Sequence, residues 1–215
     1  MTAPSGIVLE AHDVHKAYGR HRVLNGAGLE VRAGQLVAVV GENGTGKSTL
    51  LRILAGTLAA DRGEVRITGT LGYCPQEAVV NDNLTVGQHL RYFAAARQLA
   101  CLRRADELVE LLRFGQFRDQ AAGALSGGTR QKLNLTLALL HDPDVLLLDE
   151  PYQGFDWETY LRFWDVVGDL RSRGKAIVII THLVFEQDRF DVLATLADGR
   201  LTRHDTPAED PCDSN

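Results

Sequence analysis

Residues 36–48, with the sequence LVAVVGENGTGKS, decide the fold of this chain. They begin with an apolar run, Leu36–Val40, and end with residues 41–48, which fit the phosphate-loop pattern GxxxxGK[ST]. An apolar run without alternating polarity is typical of a strand that is buried on both faces. Residues 47–56 then carry apolar side chains at helical spacing. The stretch therefore predicts a buried strand, a phosphate-binding loop and a helix, in that order.

The loop has the residue types that phosphate binding requires. Its glycines allow successive backbone N–H groups to face phosphate oxygens, and the helix that follows adds the partial positive charge of its N-terminus. Lys47 is expected to reach the β- and γ-phosphates, and Ser48 to ligate Mg²⁺. The alternative is a glycine-rich turn with an exposed lysine, and the flanking strand and helix argue against it.

Two carboxylates follow a second apolar run. Residues 146–148 are leucines, and Asp149 and Glu150 come directly after them. A carboxylate at the end of a buried strand is costly unless it meets a cation, so Asp149 is predicted to face Mg²⁺. Glu150 is then placed to polarise an attacking water. The alternative is that both acids begin a loop and cap the helix after Pro151.

A third candidate site begins at Ser126. Serine is a good N-cap residue, and Gly127 and Gly128 would leave the first N–H groups of the helix accessible. This pattern predicts a second anion-binding helix N-terminus. An ordinary capped helix is the alternative, and the residues alone leave it open.

Composition excludes several classes of protein. The chain has 215 residues, of which 45% are hydrophobic and 24% charged, so it is not disordered, collagen-like or fibrous. A net charge of −5 gives no general attraction to nucleic acid or anionic lipid. Three widely spaced cysteines without a CxxC motif indicate free thiols in a reducing compartment. There is no secretory signal or membrane-spanning run, so we expect a soluble, cytoplasmic protein.

Apolar periodicity divides the chain into three parts. The first third has the pattern of strands and turns, including strands at residues 7–11 and 28–31. Residues 78–140 have helical spacing and are predicted to form an inserted helical subdomain. The last third alternates strand and helix, with a hairpin turn at 198–199, and residues 206–215 are expected to be disordered. A mostly parallel sheet covered by helices follows from this order.

The motifs, taken in order, resemble those of the ATP-binding subunit of an ABC (ATP-binding cassette) transporter over nearly all of residues 7–205. Tyr18 matches the aromatic residue that stacks on adenine, and Gln76 matches the glutamine that contacts Mg²⁺ and water. Residues 126–128 match the family signature, and His182 matches the histidine that contacts the γ-phosphate. The order of these motifs is more specific than any one of them.

The resemblance implies a single ABC ATPase domain over residues 1–215. Its fold class would be α/β: a phosphate-loop NTPase core with a mostly parallel sheet, an antiparallel β subdomain and an inserted α-helical subdomain. Glu150 and His182 would be catalytic, and Mg²⁺ would be held by Ser48, Gln76 and Asp149. The ATP-binding residues would be Tyr18, Gly41, Glu42, Asn43, Gly44, Thr45, Gly46, Lys47, Ser48, Thr49, Gln76, Ser126, Gly127 and Gly128.

Two motifs depart from the family pattern. The signature usually ends in glutamine, and here it ends in Thr129. The loop after Glu150 usually reads Thr-Ser-Gly-Leu-Asp, and here residues 152–156 read YQGFD. The serine that acts across the dimer is therefore replaced by Gln153. Because the serine and glycine that contact phosphate are kept, we expect Thr129 to weaken function without abolishing it. The change at Gln153 bears on the communication between subunits.

The implied function is hydrolysis of ATP to drive a separate transmembrane permease, with export favoured over import. Two copies would form a homodimer on the cytoplasmic face of the membrane, held there only by the permease, and residues 77–93 would form the docking groove. No nucleic-acid partner is expected. The alternatives are a soluble ABC ATPase acting on ribosomes or in chromosome maintenance, and a non-hydrolysing cassette. The single cassette without sustained heptads argues against the former, and the intact catalytic residues against the latter.

Overall fold

The computed structural model describes residues 6–181 and 188–205. Two of the predictions above lie outside these residues: the role of His182 and the disordered tail at 206–215. In chain order the strands are β1 (Ile7–Tyr18), β2 (His21–Arg32), β3 (Leu36–Val40), β4 (Arg62–Ile67), β5 (Leu71–Cys74), β6 (Val145–Asp149), β7 (Ala176–Ile180), β8 (Val192–Ala197) and β9 (Arg200–Asp205). The α-helices are α1 (Lys47–Leu54), α2 (Val86–Ala96), α3 (Arg103–Leu111), α4 (Gly127–Leu139) and α5 (Trp157–Ser172).

Six strands form the larger sheet, in the order β5-β6-β7-β3-β8-β9. The first five are parallel, and β9 pairs with β8 in the antiparallel sense. The turn between β8 and β9 has positive φ at both Asp198 (49°) and Gly199 (73°), as the predicted hairpin turn requires. The mostly parallel α/β sheet is therefore confirmed.

The apolar runs are explained by burial on both faces of this sheet. In β6, Leu146 and Leu148 belong to one hydrophobic cluster, together with residues of α2 to α5. Val145 and Leu147 of the same strand belong to a second cluster, which includes α1 and the inner faces of β1 and β2. Each strand residue therefore meets an apolar layer whichever way it points.

The smaller sheet has three antiparallel strands in the order β2-β1-β4. Its first two strands are twelve residues long, so the short strands expected at 7–11 and 28–31 were too short. The cause is a series of register shifts between β1 and β2, one of them between Ala11 and Val14, where Asp13 has a φ of 49°. Each bulge interrupts the alternation of buried and exposed residues on which strand prediction depends.

Helices α2, α3 and α4 lie between β5 and β6 in the chain, within the range expected for the helical subdomain. Helix α2 begins with a complete capping box. Gln88 N donates to Thr85 Oγ1 at 3.1 Å, and Thr85 N donates to Gln88 Oε1 at 2.7 Å. Across residues 6–181 and 188–205, no helix is both long and apolar enough to cross a lipid bilayer.

Candidate nucleotide-binding site

The phosphate loop joins β3 to α1, as predicted, and two of its glycines lie against neighbouring strands. A Cβ atom on Gly41 would lie 2.5 Å from the carbonyl oxygen of Leu196 in β8. A Cβ atom on Gly46, which has a φ of 102°, would lie 2.4 Å from Cγ1 of Val23 in β2. A larger residue at either position would therefore displace the loop from the two sheets that support it.

Lys47 folds back over the loop that precedes it. Its Nζ atom donates hydrogen bonds of 2.8 Å to the carbonyl oxygens of Gly41 and Glu42. The residue is only 6% exposed, and burial lowers the pKa of its ammonium group, while the carboxylates of Glu150 and Asp149 oppose that shift. The cation is thus fixed in position at the start of α1.

The two predicted carboxylates lie at the carboxyl end of β6. Asp149 is 2% exposed, and Glu150 follows it with a φ of 47°, a left-handed conformation that turns the chain out of the sheet. The backbone N–H of Glu150 donates to the carbonyl oxygen of Ile180 at 3.1 Å. Gln76 Nε2 donates to Glu150 Oε2 at 3.2 Å, which brings together two site residues 74 positions apart in sequence.

A cavity of about 720 Å³ lies over the phosphate loop. Its size is typical of a small-molecule site. Eight predicted site residues line it: Asn43, Gly44, Gly46, Lys47, Ser48, Thr49, Gln76 and Glu150. Tyr18 is not among the lining residues; it ends β1 and is 50% exposed. His21 and Val23 at the start of β2 do line the cavity, although no sequence motif predicted them as site residues. Their only local signal is that they follow Tyr18 by a short turn.

The signature residues lie at a second, smaller cavity of about 290 Å³. Gly127 and Gly128 line it at the N-terminus of α4, and Gln76 and Gln153 line both cavities. Ser126 is the N-cap residue of α4, and its Oγ accepts the N–H of Thr129 at 3.2 Å. The signature glycines and the phosphate loop therefore line different cavities, which share Gln76 and Gln153.

The atypical loop after Glu150 has its own internal contacts. The Tyr152 hydroxyl forms a hydrogen bond with Thr181 Oγ1, and its ring makes edge-to-face contacts with Tyr160 and Phe163 at 5.4 and 5.5 Å between centroids. Asp156 caps α5 by accepting the N–H of Thr159 at 2.8 Å. Tyr152 thus connects the loop after β6 to the residue that follows β7.

The oxygen atoms at this site are suitable ligands for Mg²⁺. Mg²⁺ prefers oxygen ligands, and Ser48, Gln76 and Asp149 supply a hydroxyl, an amide carbonyl and a carboxylate. Ser48 and Gln76 line the same cavity, and the Asp149 carboxylate is close enough to act on the Lys47 pKa. The residues present therefore fit the metal that the resemblance implies.

A family model described as "ABC transporter" matches residues 24–153. The chain belongs to the ABC transporter family. It is the ATP-binding, ATP-hydrolysing cassette of that family, and the prediction made from the motifs is confirmed. The matched ABC segment begins in β2 and ends at Gln153, so it includes the phosphate loop, the signature and both carboxylates.

The chain matches two curated relatives over different shares of their length. It is 32% identical to the Nod factor export ATP-binding protein I of Ralstonia nicotianae, over 94% of this chain and 68% of that protein. It is 31% identical to ABC transporter G family member 20 of Dictyostelium discoideum, over 94% of this chain. The match spans only 30% of the length of that second protein.

Two solved structures have the same fold. One is the ATP-binding subunit of an ABC transporter, with a TM-score of 0.86 and 27% identity, covering 92% of this chain and 90% of that one. The other is a dimeric bacterial ABC transporter cassette, with a TM-score of 0.85 and 21% identity, covering 93% of this chain and 99% of that one. The predicted fold class is therefore confirmed.

Proposed function

We propose that this ABC cassette hydrolyses ATP to drive export through a separate transmembrane permease, at the cytoplasmic face of the membrane. One observation carries the chemistry: Lys47, Ser48, Gln76 and Glu150 surround a single cavity over the phosphate loop. The direction is supported by the relative from Ralstonia nicotianae, whose name describes export of Nod factor. The transported substrate is chosen by the permease in this proposal, and the cassette supplies the energy.

Within the cavity, the loop N–H groups and Lys47 would hold the phosphates, and Ser48, Gln76 and Asp149 would hold Mg²⁺. When bound, the metal neutralises charge on the β- and γ-phosphates. Glu150 would accept a hydrogen bond from the attacking water and remove its proton, while Gln76, which already donates to Glu150, holds that carboxylate in place. The Tyr18 ring would stack on adenine, and His182 would contact the γ-phosphate.

The active site would be shared between two copies of the chain. Residues 126–128 head a helix whose N-terminus suits an anion, but Gly127 and Gly128 line a different cavity from Lys47. If the signature of one copy faces the phosphate loop of the other, both helix N-termini contact the same nucleotide. The dimeric cassette with the same fold supports this arrangement, and a homodimer is the simplest form of it.

The permease would dock against the surface at residues 77–93. Val79 and Tyr92 are 76% and 66% exposed there. Val79 and Phe93 border a cavity of about 370 Å³ whose lining also includes Tyr73 and Pro75. Large exposed apolar side chains beside a groove are typical of a protein interface. Movement at Gln76 would reach this groove directly, since Gln76 immediately precedes it in sequence.

The experiment that tests this function compares three variants. Lys47→Ala should weaken ATP binding at least tenfold in calorimetry, because a charged hydrogen bond contributes ~1.5–3 kcal/mol. Glu150→Gln should still bind ATP, with turnover reduced by ~10²-fold or more, as expected for loss of a general base. Glu107→Gln, an exposed acid on α3, is the matched control and should leave both properties unchanged. Wild-type turnover in Glu150→Gln would exclude Glu150 as the base.

Export itself needs a second measurement. The cassette should be purified from native membranes together with its permease, and the pair reconstituted into vesicles with ATP on the cassette side. Substrate should then move away from that side. Val79→Asp should release the cassette from the membrane fraction while leaving the ATPase activity of the isolated cassette intact. Retention of this variant on membranes would contradict the proposed docking surface.

A further inference from the structure

Thr129 stands at the position of α4 where the family signature usually has glutamine. With Ser126 as the N-cap, this is the N3 position, and Ser-x-x-Gln is the spacing of a capping box. Helix α2 of this chain shows the complete arrangement, in which Gln88 reaches back to the backbone N–H of Thr85. In α4 the N3 side chain instead contacts the N-cap side chain: Thr129 Oγ1 lies 2.9 Å from Ser126 Oγ.

Only one of the two hydroxyls, that of Ser126 or that of Thr129, can donate the hydrogen bond between them. Each carries one proton and can accept from other donors. Ser126 Oγ already accepts the backbone N–H of Thr129 at 3.2 Å, and either hydroxyl can be the donor in the bond between them. If Ser126 donates to Thr129, its only proton is occupied. If Thr129 donates to Ser126, the Ser126 proton is left for another acceptor.

We propose that Thr129 is a positioning residue that donates to Ser126 and thereby directs the Ser126 proton toward the nucleotide phosphate. This inference rests on the proposed function, in which the signature of one copy meets the nucleotide of the other. An anion next to Ser126 attracts the serine proton, so the Thr129 hydroxyl rotates and becomes the donor. Hydrogen bonds arranged in such a chain polarise and strengthen one another. Thr129 is only 9% exposed, which limits competition from water for its hydroxyl.

The same geometry explains why threonine can replace glutamine here. A glutamine at N3 stabilises the helix start through the backbone and leaves the serine hydroxyl to rotate freely. Threonine gives up that backbone bond and restricts the serine hydroxyl instead. The departure at Thr129 would then change how Ser126 is oriented, without removing its contact with the phosphate.

The test uses ATP-dependent dimerisation in the Glu150→Gln background, where bound ATP persists. Thr129→Val removes the hydroxyl but keeps the branched shape and the N–H that bonds to Ser126 Oγ. Thr129→Ser keeps the hydroxyl. Because the hydroxyl pair is also present in the monomer, dimerisation loses only the strengthening of the serine–phosphate bond, which should weaken each site by about twofold. Because a symmetric dimer has two such sites, sedimentation should show roughly fourfold weaker dimerisation for Thr129→Val. Thr129→Ser should stay close to its parent.

Two further readouts separate positioning from structure. ATP affinity of the monomer at low protein concentration should be the same in all variants, because the phosphate loop of the same chain is untouched. Thermal unfolding of Thr129→Val should change by no more than the loss of one partly buried hydroxyl bond, since the N-cap bond from the Thr129 N–H is kept. In active enzyme with the native Glu150, Thr129→Val should raise the KM for ATP more than it lowers kcat.

Each result has a defined meaning. If Thr129→Val dimerises as well as its parent while Ser126→Arg does not, the role of Thr129 is wrong and the shared site stands. If Thr129→Ser loses as much as Thr129→Val, the methyl group matters and the hydroxyl does not, which also overturns the role. If Ser126→Arg dimerises normally, the shared site is wrong, and the inference about Thr129 fails with it.

Discussion

Gly128 packs against the loop after β6 so closely that a single methyl group should disturb the contact. A Cβ atom at Gly128 would lie 2.2 Å from the carbonyl oxygen of Gly154 and 3.1 Å from its carbonyl carbon. Cβ atoms in proteins essentially never lie closer than 3.0 Å to an atom outside their own residue and its chain neighbours. The two segments must therefore separate by about 0.8 Å in Gly128→Ala. Both segments are backbone, and no flexible side chain can move to relieve the overlap.

Moving either segment would break contacts and so cost free energy. The start of α4 is held by the cap at Ser126, and the loop is held on either side of Gly154 by Tyr152 and by the cap at Asp156. Overpacking of this kind costs ~1–3 kcal/mol. Replacing glycine by alanine in a helix returns up to ~1 kcal/mol through helix propensity. We therefore expect Gly128→Ala to lose ~0–3 kcal/mol in the free energy of unfolding relative to wild type, and ~1–3 kcal/mol relative to a glycine-to-alanine change without the overlap.

Gly127→Ala is the matched control for stability. It adds the same methyl group one residue earlier in the same helix, and its Cβ would have nothing within 4 Å. Thermal unfolding followed by circular dichroism should show Gly127→Ala at or slightly above wild type. For a domain of this size, ~1 kcal/mol corresponds to ~2–4 °C. Gly128→Ala should therefore have a melting temperature several degrees below that of Gly127→Ala. Equal melting temperatures for the two variants would refute the close approach of Gly128 to Gly154.

Two other contacts make separate predictions. Asp144 accepts hydrogen bonds from the backbone N–H of Thr70 at 2.8 Å and from Lys175 Nζ at 3.0 Å, and the Thr70 bond is the main reason that its pKa lies below the ordinary 3.8. A carboxyl group whose pKa is lower in the folded state stabilises the fold at pH values above its unfolded pKa. Wild type should therefore be more stable than Asp144→Asn in urea unfolding near pH 7, and the difference in stability should shrink below about pH 3.8. The same difference near pH 3 would contradict this explanation. In a double-mutant cycle, Tyr152→Phe and Thr181→Val should each destabilise the protein and show a coupling energy of ~0.5–1.5 kcal/mol in urea unfolding, whereas additive effects would argue against their hydrogen bond.

The contiguous motifs were the most predictable part of this protein. Residues 36–48 specify a strand, a loop and a helix through local pattern alone, and the structure contains all three. The parallel sheet was equally accessible, because burial on both faces leaves a uniform apolar run in the sequence. The lengths of β1 and β2 could not be predicted, since bulges set by pairing between strands interrupt the alternation of buried and exposed residues.

The features that were missed depend on contacts between distant residues. His21 and Val23 reach the nucleotide cavity only because β2 pairs with β1 and returns the chain to the phosphate loop. The approach of Gly128 to Gly154 joins residues 26 positions apart, and a glycine in sequence gives no sign of what it touches. The bond from Tyr152 to Thr181 likewise needs β6 and β7 to be neighbours. The approach of Gly128 to Gly154 and the bond from Tyr152 to Thr181 are not encoded in any local pattern.

The hydrogen bonds of Lys47 to its own loop affect how this cassette divides free energy between folding and binding. A lysine side chain in solvent samples many rotamers, and fixing one costs ~1.5–2 kcal/mol of conformational entropy. Because two carbonyl oxygens already hold Nζ, that entropy is lost when the protein folds and not when a nucleotide arrives. In the unliganded protein the two hydrogen bonds offset this loss of entropy, and phosphate binding does not have to overcome it again. A nucleotide therefore meets a cation that needs no further ordering.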